Sequence, residues 1–448
     1  MAAVQGDSFI IRSITLSGNK ITRPGIILRE LTFRQGDTLM AGSLDKHLVM
    51  SRENVFNTSL FNIVTVDTAG IPGERGDLAV TVKVIERWYI WPIPYLEFPD
   101  RNMNAWFKDP DFSRLTYGAN VSFYNVRGRN ETLTLLLHFG FNQKYGFTYK
   151  TPYINRQKTW GFGFGSNAAL NRSMQVAIEE GENVYMEAES GFLQQQYTGY
   201  AEVFHRPAWY IHHLFDLSYT HFIFADTLRW VPGFFAQDTV LEQDLIQLYY
   251  KIKFDQRDAR YYPLEGYYTD IELLTSAFLQ QPLTLFAAKS TLKGYWKLAR
   301  RWYVASGLTG RVSFPLDQPF YMQEGLGYGR DYVRGYDAYL IPGQHFLISK
   351  NNLKFAIIPP LVLNLDFIRT PKFSVVPLAL YANLFADFGC AWNASQAQSS
   401  ENPLSNSFLL GYGIGLDLAT YYDVVIGLNF SLNIEGVPGF FVHFIAPI

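Results

Sequence analysis

Several short motifs contain residue types that are used in catalysis, metal binding or phosphate binding. The triplet Asp-Phe-Gly at 387–389 spells a kinase metal-binding loop, but neither a glycine-rich loop with its lysine nor an HRD-type catalytic loop accompanies it. Glycines 325, 327 and 329 precede no helix that could hold a phosphate, and Ser166 lacks the trailing glycine of a nucleophile elbow. The eight histidines show no metal-ligand spacing. These patterns predict no catalytic site, no metal and no cofactor.

One arginine and one aspartate remain as candidates for a strong interaction. The arginine belongs to a motif that consists of Val333, Arg334, Gly335 and Tyr336. This motif lies in a long segment, 315–344, that is rich in glycine and charge. If the segment folds inward, the guanidinium needs a carboxylate, because an unpaired buried charge is costly. Asp387 could supply that carboxylate, whereas an arginine in a solvated turn would need no partner.

The composition excludes several classes of protein. Aromatic residues make up 17% of the 448 residues and charged residues also 17%, which is below the roughly 25% of a soluble domain. Lys and Arg total 38 against 40 Asp and Glu, so no basic field would attract nucleic acid. A single cysteine, Cys390, excludes an intramolecular disulfide. No run of about 18 apolar residues predicts a transmembrane helix, but a transmembrane β-barrel fits this composition.

Residues 1–88 form a first unit with mixed periodicity. An alternating strand begins at Phe9, and a helix from Thr22 to Thr32 follows, with Thr22 as its N-cap and a proline in its first turn. A second helix is predicted at 43–59. Two further strands follow at 61–67 and 78–85. The order β-α-α-β-β predicts a small α+β domain.

Residues 89–448 contain about sixteen alternating segments separated by turn residues, the pattern of a membrane barrel. An even number of antiparallel strands can close and leave no edge. The predicted strands are 91–98, 114–124, 132–140, 145–149, 161–169, 195–205, 214–224, 247–255, 267–278, 288–298, 303–314, 346–357, 376–387, 407–418, 424–432 and 440–445.

These features resemble the outer-membrane protein 85 family, also called the BamA/TamA-type superfamily of outer-membrane assembly and secretion proteins. Residues 8–88 resemble one POTRA domain, and the loop 315–344 with its Val-Arg-Gly-Tyr motif resembles the sixth loop of the family. The segment 385–392 resembles the F-x-D-x-G-x-x-W strand, whose aspartate, here Asp387, receives the loop arginine. A further strand motif of the family is matched by Asp255, Arg257 and Asp258.

Two departures from the family pattern are visible. Members that assemble proteins usually carry several POTRA units, whereas this chain shows one. Lys354 stands where the family often has a second acidic partner for the loop arginine, so Asp387 would carry more of the pairing.

The resemblance implies a non-enzymatic protein of the bacterial outer membrane, with residues 1–88 in the periplasm. Its partners would be the lipid bilayer, unfolded outer-membrane or secreted protein clients, and periplasmic proteins or lipoproteins that bind the POTRA domain; nucleic acid is not expected. Arg334 would anchor the loop to Asp387 and stabilise a plugged state. Clients would use a weak seam between the first and last strands.

Prolines near both ends of the barrel support the weak seam, because proline removes a ladder donor. They are Pro92, Pro94, Pro99, Pro438 and Pro447. The prolines could instead merely mark turns. A two-partner-type polypeptide secretion pore and a passive outer-membrane channel remain alternative functions, as does a structural anchor that presents its periplasmic domain.

Overall fold

A computed structural model describes residues 8–71, 76–97, 112–179, 182–235, 239–394, 402–420 and 423–444. The first six elements form an α+β domain, here called the N-terminal domain. They are β1 (Ser8–Ser17), α1 (Pro24–Glu30), β2 (Thr38–Met40), α2 (Ala41–Phe56), β3 (Phe61–Gly70) and β4 (Asp77–Glu86). The sheet order is β2-β1-β4-β3, and both helices cover one apolar face of it.

The predicted order β-α-α-β-β lacked one strand. The short strand β2 pairs with the start of β1 and begins where the predicted loop between the helices ends. The predicted N-cap is also wrong: Arg23 holds that position without a side-chain bond. Thr22 is instead buried, and its hydroxyl accepts a hydrogen bond from Asn125 near the end of a later strand (2.8 Å). Thr22 therefore does not cap the helix but contacts the barrel part of the chain.

Sixteen further strands form one antiparallel sheet, so the predicted fold class is confirmed. They are β5 (Ile90–Glu97), β6 (Thr116–Val126), β7 (Glu131–Gly140), β8 (Gln143–Thr151), β9 (Trp160–Asn171), β12 (Gln194–His205), β13 (Ile211–Phe224), β14 (Glu242–Asp255), β15 (Gly266–Phe278), β16 (Thr284–Ala299), β17 (Trp302–Phe314), β18 (His345–Asn364), β19 (Val375–Trp392), β20 (Leu409–Ala419), β21 (Val425–Asn433) and β22 (Pro438–His443).

Two smaller features lay outside the prediction. A separate hairpin, β10 (Ser173–Glu179) and β11 (Glu182–Glu187), projects from the connection between β9 and β12. A one-turn helix, α3 (Pro371–Ser374), precedes β19. Residues 98 and 445, which end the first and last predicted strands, lie outside the described residues.

The two faces of the barrel sheet differ in chemistry. Side chains alternate between the faces, so every second residue of a strand points inward. On β19 the inward positions include Asn383, Asp387 and Ala391, whereas Leu384 and Phe388 point outward and are exposed. The outer face is therefore apolar and the inner face is largely polar. No helix in the described ranges is long and apolar enough to cross a membrane.

The N-terminal domain covers one end of the barrel, here called the near rim. This rim is formed by the turns after β6, β8, β12, β14, β16, β18 and β20. Arg23 N donates to Gly128 O (2.9 Å), and Asn57 Nδ2 donates to Asp258 O (3.3 Å). The Arg87 guanidinium pairs with Asp423. The apolar core of the domain also includes Tyr89 and Tyr153, which belong to the barrel chain. The domain is therefore packed against several turns around the mouth.

A buried ion pair joins the two units. Glu30 in α1 is fully buried and receives two hydrogen bonds from Arg206 in the turn after β12, at 2.7 and 2.8 Å. Tyr153 Oη donates a third at 3.2 Å. Burial would raise the pKa of Glu30, but the Arg206 guanidinium outweighs it and holds the pKa below the ordinary value of 4.5.

We predict that Arg206→Ala releases the N-terminal domain from the near rim. It leaves the Glu30 carboxylate buried without its main partner, a change that typically costs about 3–5 kcal/mol. In the unchanged protein the pair stabilises docking above pH 4.5, and this contribution is lost as the pH falls through the lowered pKa of Glu30. Spin labels at the exposed positions 34 and 300, measured by pulsed electron resonance, report the distance between domain and rim.

Arg156→Ala is the matched control, because Arg156 is an exposed arginine in the turn after β8. It should leave the label distance unchanged. A single narrow distance in Arg206→Ala at pH 7 would contradict the proposed role of the ion pair.

Candidate functional site

The segment 315–344 folds back into the barrel as an irregular hairpin. Leu326 and Ile341 pair with each other through two backbone hydrogen bonds of 2.9 and 2.8 Å. Two glycines permit this close approach. A Cβ on Gly325 would lie 1.9 Å from Ile341 O, and one on Gly327 would lie 2.1 Å from Tyr339 O. The glycines that could have suggested phosphate binding therefore serve the packing of the loop.

At the tip of this loop, Arg334 forms a bidentate pair with Asp387 on the inner face of β19. Arg334 Nε donates to Asp387 Oδ2 at 2.7 Å, and Nη2 donates to Oδ1 at 2.6 Å. Both side chains are completely buried. Two parallel charge-assisted bonds fix direction as well as distance. The structure therefore brings together the two residues that the sequence singled out.

Further groups surround the pair. The Arg334 guanidinium carbon lies 3.9 Å from the centre of the Phe385 ring, two residues before Asp387 on the same face. Such a cation–π contact is strongest where water is excluded. Asp387 Oδ1 also accepts the backbone N–H of Asn351 on the neighbouring strand β18 (3.3 Å). The carboxylate thus joins the loop to β18 as well as to β19.

The other motif residues shape the loop tip. Val333 and Tyr336 are buried in an apolar cluster with Leu326 and with side chains of β18 and β19. Gly335 has a φ of +94°, a region that favours glycine. Its backbone also passes close to β21, because a Cβ there would lie 3.3 Å from Leu432 O.

Glycines of the barrel wall make room for the loop, and these residues were missed from the sequence. A Cβ on Gly411 of β20 would lie 1.6 Å from Arg334 O, and one on Gly389 would lie 2.6 Å from a methyl group of Val333. The signal was present as glycines at alternate positions 411, 413 and 415, which share one face of a strand. Small residues on an inward face indicate where another backbone approaches.

The loop also contacts the last strand. The ring of Tyr332 stacks on His443 of β22, with centroids 5.7 Å apart. His443 Nε2 lies 3.3 Å from Asp337 Oδ1. From residue 332 to residue 337 the loop therefore touches β19, β20, β21 and β22, the four strands next to the C-terminal edge of the sheet.

The other candidate residues build a turn at the near rim. Asp255 ends β14, and Arg257 donates two hydrogen bonds back to it (2.7 and 2.8 Å). Asp258 Oδ1 accepts the backbone N–H groups of Ala259 and Leu264 (2.8 and 3.1 Å). Only Asp255 lies in a strand, so the strand motif is mainly a turn motif. It holds the turn against the end of α2 and lies apart from the Arg334–Asp387 pair.

Lys354 lies on β18, the strand beside the one that carries Asp387. The register of β18 and β19 places Lys350 directly opposite Asp387 and Lys354 opposite Asn383. Lys354 is buried with its Nζ 4.2 Å above the Tyr262 ring. Lys354 is therefore four residues along β18 from Lys350, the residue that faces Asp387.

Comparisons with known proteins agree with this architecture. Residues 9–87 match the POTRA family model, described as a surface antigen variable number repeat. No curated protein matches the chain by sequence. A crystal structure of BamA from Haemophilus ducreyi lacking POTRA domains 1–3 is similar with 14% identity and a TM-score of 0.51, covering 98% of this chain and 83% of that one.

Two further similar structures are CdiB proteins. CdiB from Escherichia coli has 12% identity and a TM-score of 0.52, covering 98% of this chain and 75% of that one. CdiB from Acinetobacter baumannii has 14% identity and a TM-score of 0.51, covering 98% and 74%. The N-terminal domain is therefore a POTRA domain. The whole chain shares its fold with these three structures, a POTRA domain followed by a sheet of 16 strands.

We predict that Arg334→Ala and Asp387→Ala each lower the free energy of unfolding by about 3–5 kcal/mol, because each leaves a buried charge without its partner. The double variant should cost little more than either single variant. Urea unfolding of the purified protein in detergent, followed by tryptophan fluorescence, measures all three. Additive losses would show that the two side chains do not act as a pair.

We also predict that Gly411→Ala displaces the loop, because the added Cβ would overlap Arg334 O. Protease cleavage within 315–344 should become faster, and the unfolding midpoint should fall. Gly199→Ala is the matched control, since a Cβ at this strand glycine meets no atom within 4 Å. Equal behaviour of the two variants would mean that the loop does not rest on β20.

Proposed function

We propose that this protein inserts or translocates polypeptides at a bacterial outer membrane, with the POTRA domain in the periplasm. The outward apolar face of the sheet supports a place in the bilayer. Polypeptide clients would enter through a lateral seam between β5 and β22. The observation that carries this proposal is that these two strands, in the parts described, form no backbone ladder with each other.

The edge of β5 that faces the seam lacks the backbone N–H group at two of its four positions. Tyr124 N donates to Tyr89 O (2.7 Å), so residue 89 turns its backbone polar groups toward β6. Successive residues of a strand direct these groups to opposite sides. Positions 90, 92, 94 and 96 therefore face the seam, and Pro92 and Pro94 have no N–H to donate.

The backbone groups of β22 also alternate between its partner strand and the seam. Asn433 N donates to Val437 O (3.3 Å), so residue 437 faces β21 and positions 438, 440 and 442 face the seam. Pro438 lacks a donor, whereas Phe440 and Val442 keep theirs. These three prolines therefore weaken the seam without weakening the neighbouring ladders. Pro99 and Pro447 lie outside the described residues.

The loop 315–344, inside the barrel, also supports an opening between β5 and β22. Arg334 and its neighbours contact β19 to β22, so the strands beside the seam are held together as one unit. Opening at the seam would then separate β22 from β5 while the ladders between β19 and β22 stay intact. We propose that the anchored loop stabilises the plugged state of the lumen.

The POTRA domain offers a second surface for clients or partner proteins. The inner strand β4 lies between β1 and β3 and has no free side. The outer strand β3 has a free side, and its end from Asp67 to Gly70 is exposed. An extended segment of a client, a periplasmic protein or a lipoprotein could add there as a further strand.

A photo-cross-linker tests the seam. We predict that benzoylphenylalanine at Phe440 reacts with an unfolded outer-membrane protein supplied to proteoliposomes, because this exposed position lies on the edge strand. Phe430 is the matched control: it is also exposed and is the direct partner of Phe440, but it lies on β21. Equal labelling at both positions, or none, would contradict a client route through the seam.

The same proteoliposomes separate the alternative functions. An assembly factor leaves the client embedded in the membrane and resistant to alkaline extraction. A two-partner-type secretion pore delivers the client across the membrane to the opposite side. Cleavage of the client by protease added to one side shows on which side it lies. A passive channel conducts ions but changes neither the location nor the folding of the client.

A further inference from the structure

A cavity of about 430 Å³ lies inside the barrel beside the anchored loop. Its wall comes mainly from the inner faces of β14 to β18 and from the loop. Eight basic and five acidic side chains line it, an excess of three positive charges.

Every acidic side chain of this cavity is paired. Asp270 and Glu272 both bind Lys251 Nζ, at 2.8 and 2.6 Å. Asp331 binds Lys289 Nζ at 2.5 Å. The two acids nearest the rim are paired as well, since Asp255 binds Arg257 and Asp423 binds Arg87.

Four of the basic side chains have no carboxylate partner among the described residues. They are Lys253, Lys293, Arg330 and Lys350. Lys350 Nζ donates to Arg330 O (3.3 Å) and lies 3.8 Å from the centre of the Tyr332 ring. These contacts orient the ammonium but do not neutralise it. The unmatched charge of the cavity is therefore entirely positive.

The strand register arranges two of these lysines around a gap. Lys293 on β16 is directly opposite Gly307 on β17, and Gly307 is directly opposite Lys350 on β18. All three residues line the same cavity. Neighbouring strands are about 4.8 Å apart, so the two lysine Cα atoms lie roughly 10 Å apart with no side chain between them.

We propose that this gap binds an anionic group, a carboxylate or a phosphate, between Lys293 and Lys350. Two ammonium groups without counter-charges repel each other in a confined space, where water screens poorly. An oxyanion that accepts hydrogen bonds from both lysines removes that repulsion. Lys253, on the same strand as Lys251 and directly opposite Asp270, adds to the attraction. The source of the anion is either a small free oxyanion or the acidic side chains of a polypeptide.

Calorimetry of the purified full chain in a neutral detergent at low salt tests the site without any client, so the result does not depend on the proposed function. The probes are sodium pyrophosphate and, separately, a hexaglutamate peptide. We expect binding of at least one probe, and a loss of tenfold or more in affinity in the double variant Lys293→Gln, Lys350→Gln. Pyrophosphate binding alone supports a small oxyanion, and hexaglutamate binding alone supports polypeptide carboxylates.

Two further variants test separately whether binding needs the open space at Gly307 and whether it needs the charges of these particular lysines. Gly307→Leu keeps every charge but fills the gap, and should also weaken binding at least tenfold. Lys150→Gln removes one charge from a lysine that pairs with Glu202 on another part of the wall (2.9 Å), and should leave the affinity unchanged. The proposal is overturned if neither probe binds, or if the double variant and Gly307→Leu bind as the unchanged protein does.

Discussion

The buried pair of Arg334 and Asp387 is the interaction on which the arrangement of the lumen depends. A guanidinium without water is tolerated only where a carboxylate and further contacts surround it, and here Asp387 and the ring of Phe385 do so. This requirement fixes the tip of a thirty-residue segment at one depth in the barrel. The loop then serves as an internal brace for the C-terminal strands.

The POTRA domain imposes a second constraint, at the other end of the same interior. In the pair of Glu30 and Arg206 the carboxylate is buried and the arginine is 14% exposed, and the pair joins two domains rather than a loop and a wall. The domain is therefore held against the turns around this mouth of the barrel.

Much of the fold could be predicted because the sequence repeats one physical pattern. Alternation of apolar and polar residues over about ten positions recurs for all sixteen barrel strands, and each predicted strand overlaps an observed one. The short strand β2 and the hairpin of β10 and β11 were missed. Three residues such as Thr38–Met40 are too few to show alternation, and their pairing with β1 depends on the folded domain.

The site could be predicted only in part, for a related reason. Arg334 and Asp387 were recognisable from their charge, their loop and their motif. The contribution of Gly411 required knowledge of the strand register, because only the register shows which backbone crosses its inner face. The same holds for Lys354, whose position opposite Asn383 follows from the pairing of β18 with β19.

The alternating direction of the backbone groups at the seam gives its two sides unequal chemistry. The first strand presents carbonyl oxygens at positions 92 and 94 without matching amides, while the last strand keeps both groups at 440 and 442. An incoming segment would thus be held more firmly on the C-terminal side and would detach first from the N-terminal side. If clients use the proposed seam, such asymmetry would give strand exchange a direction, set by where the prolines stand along each edge.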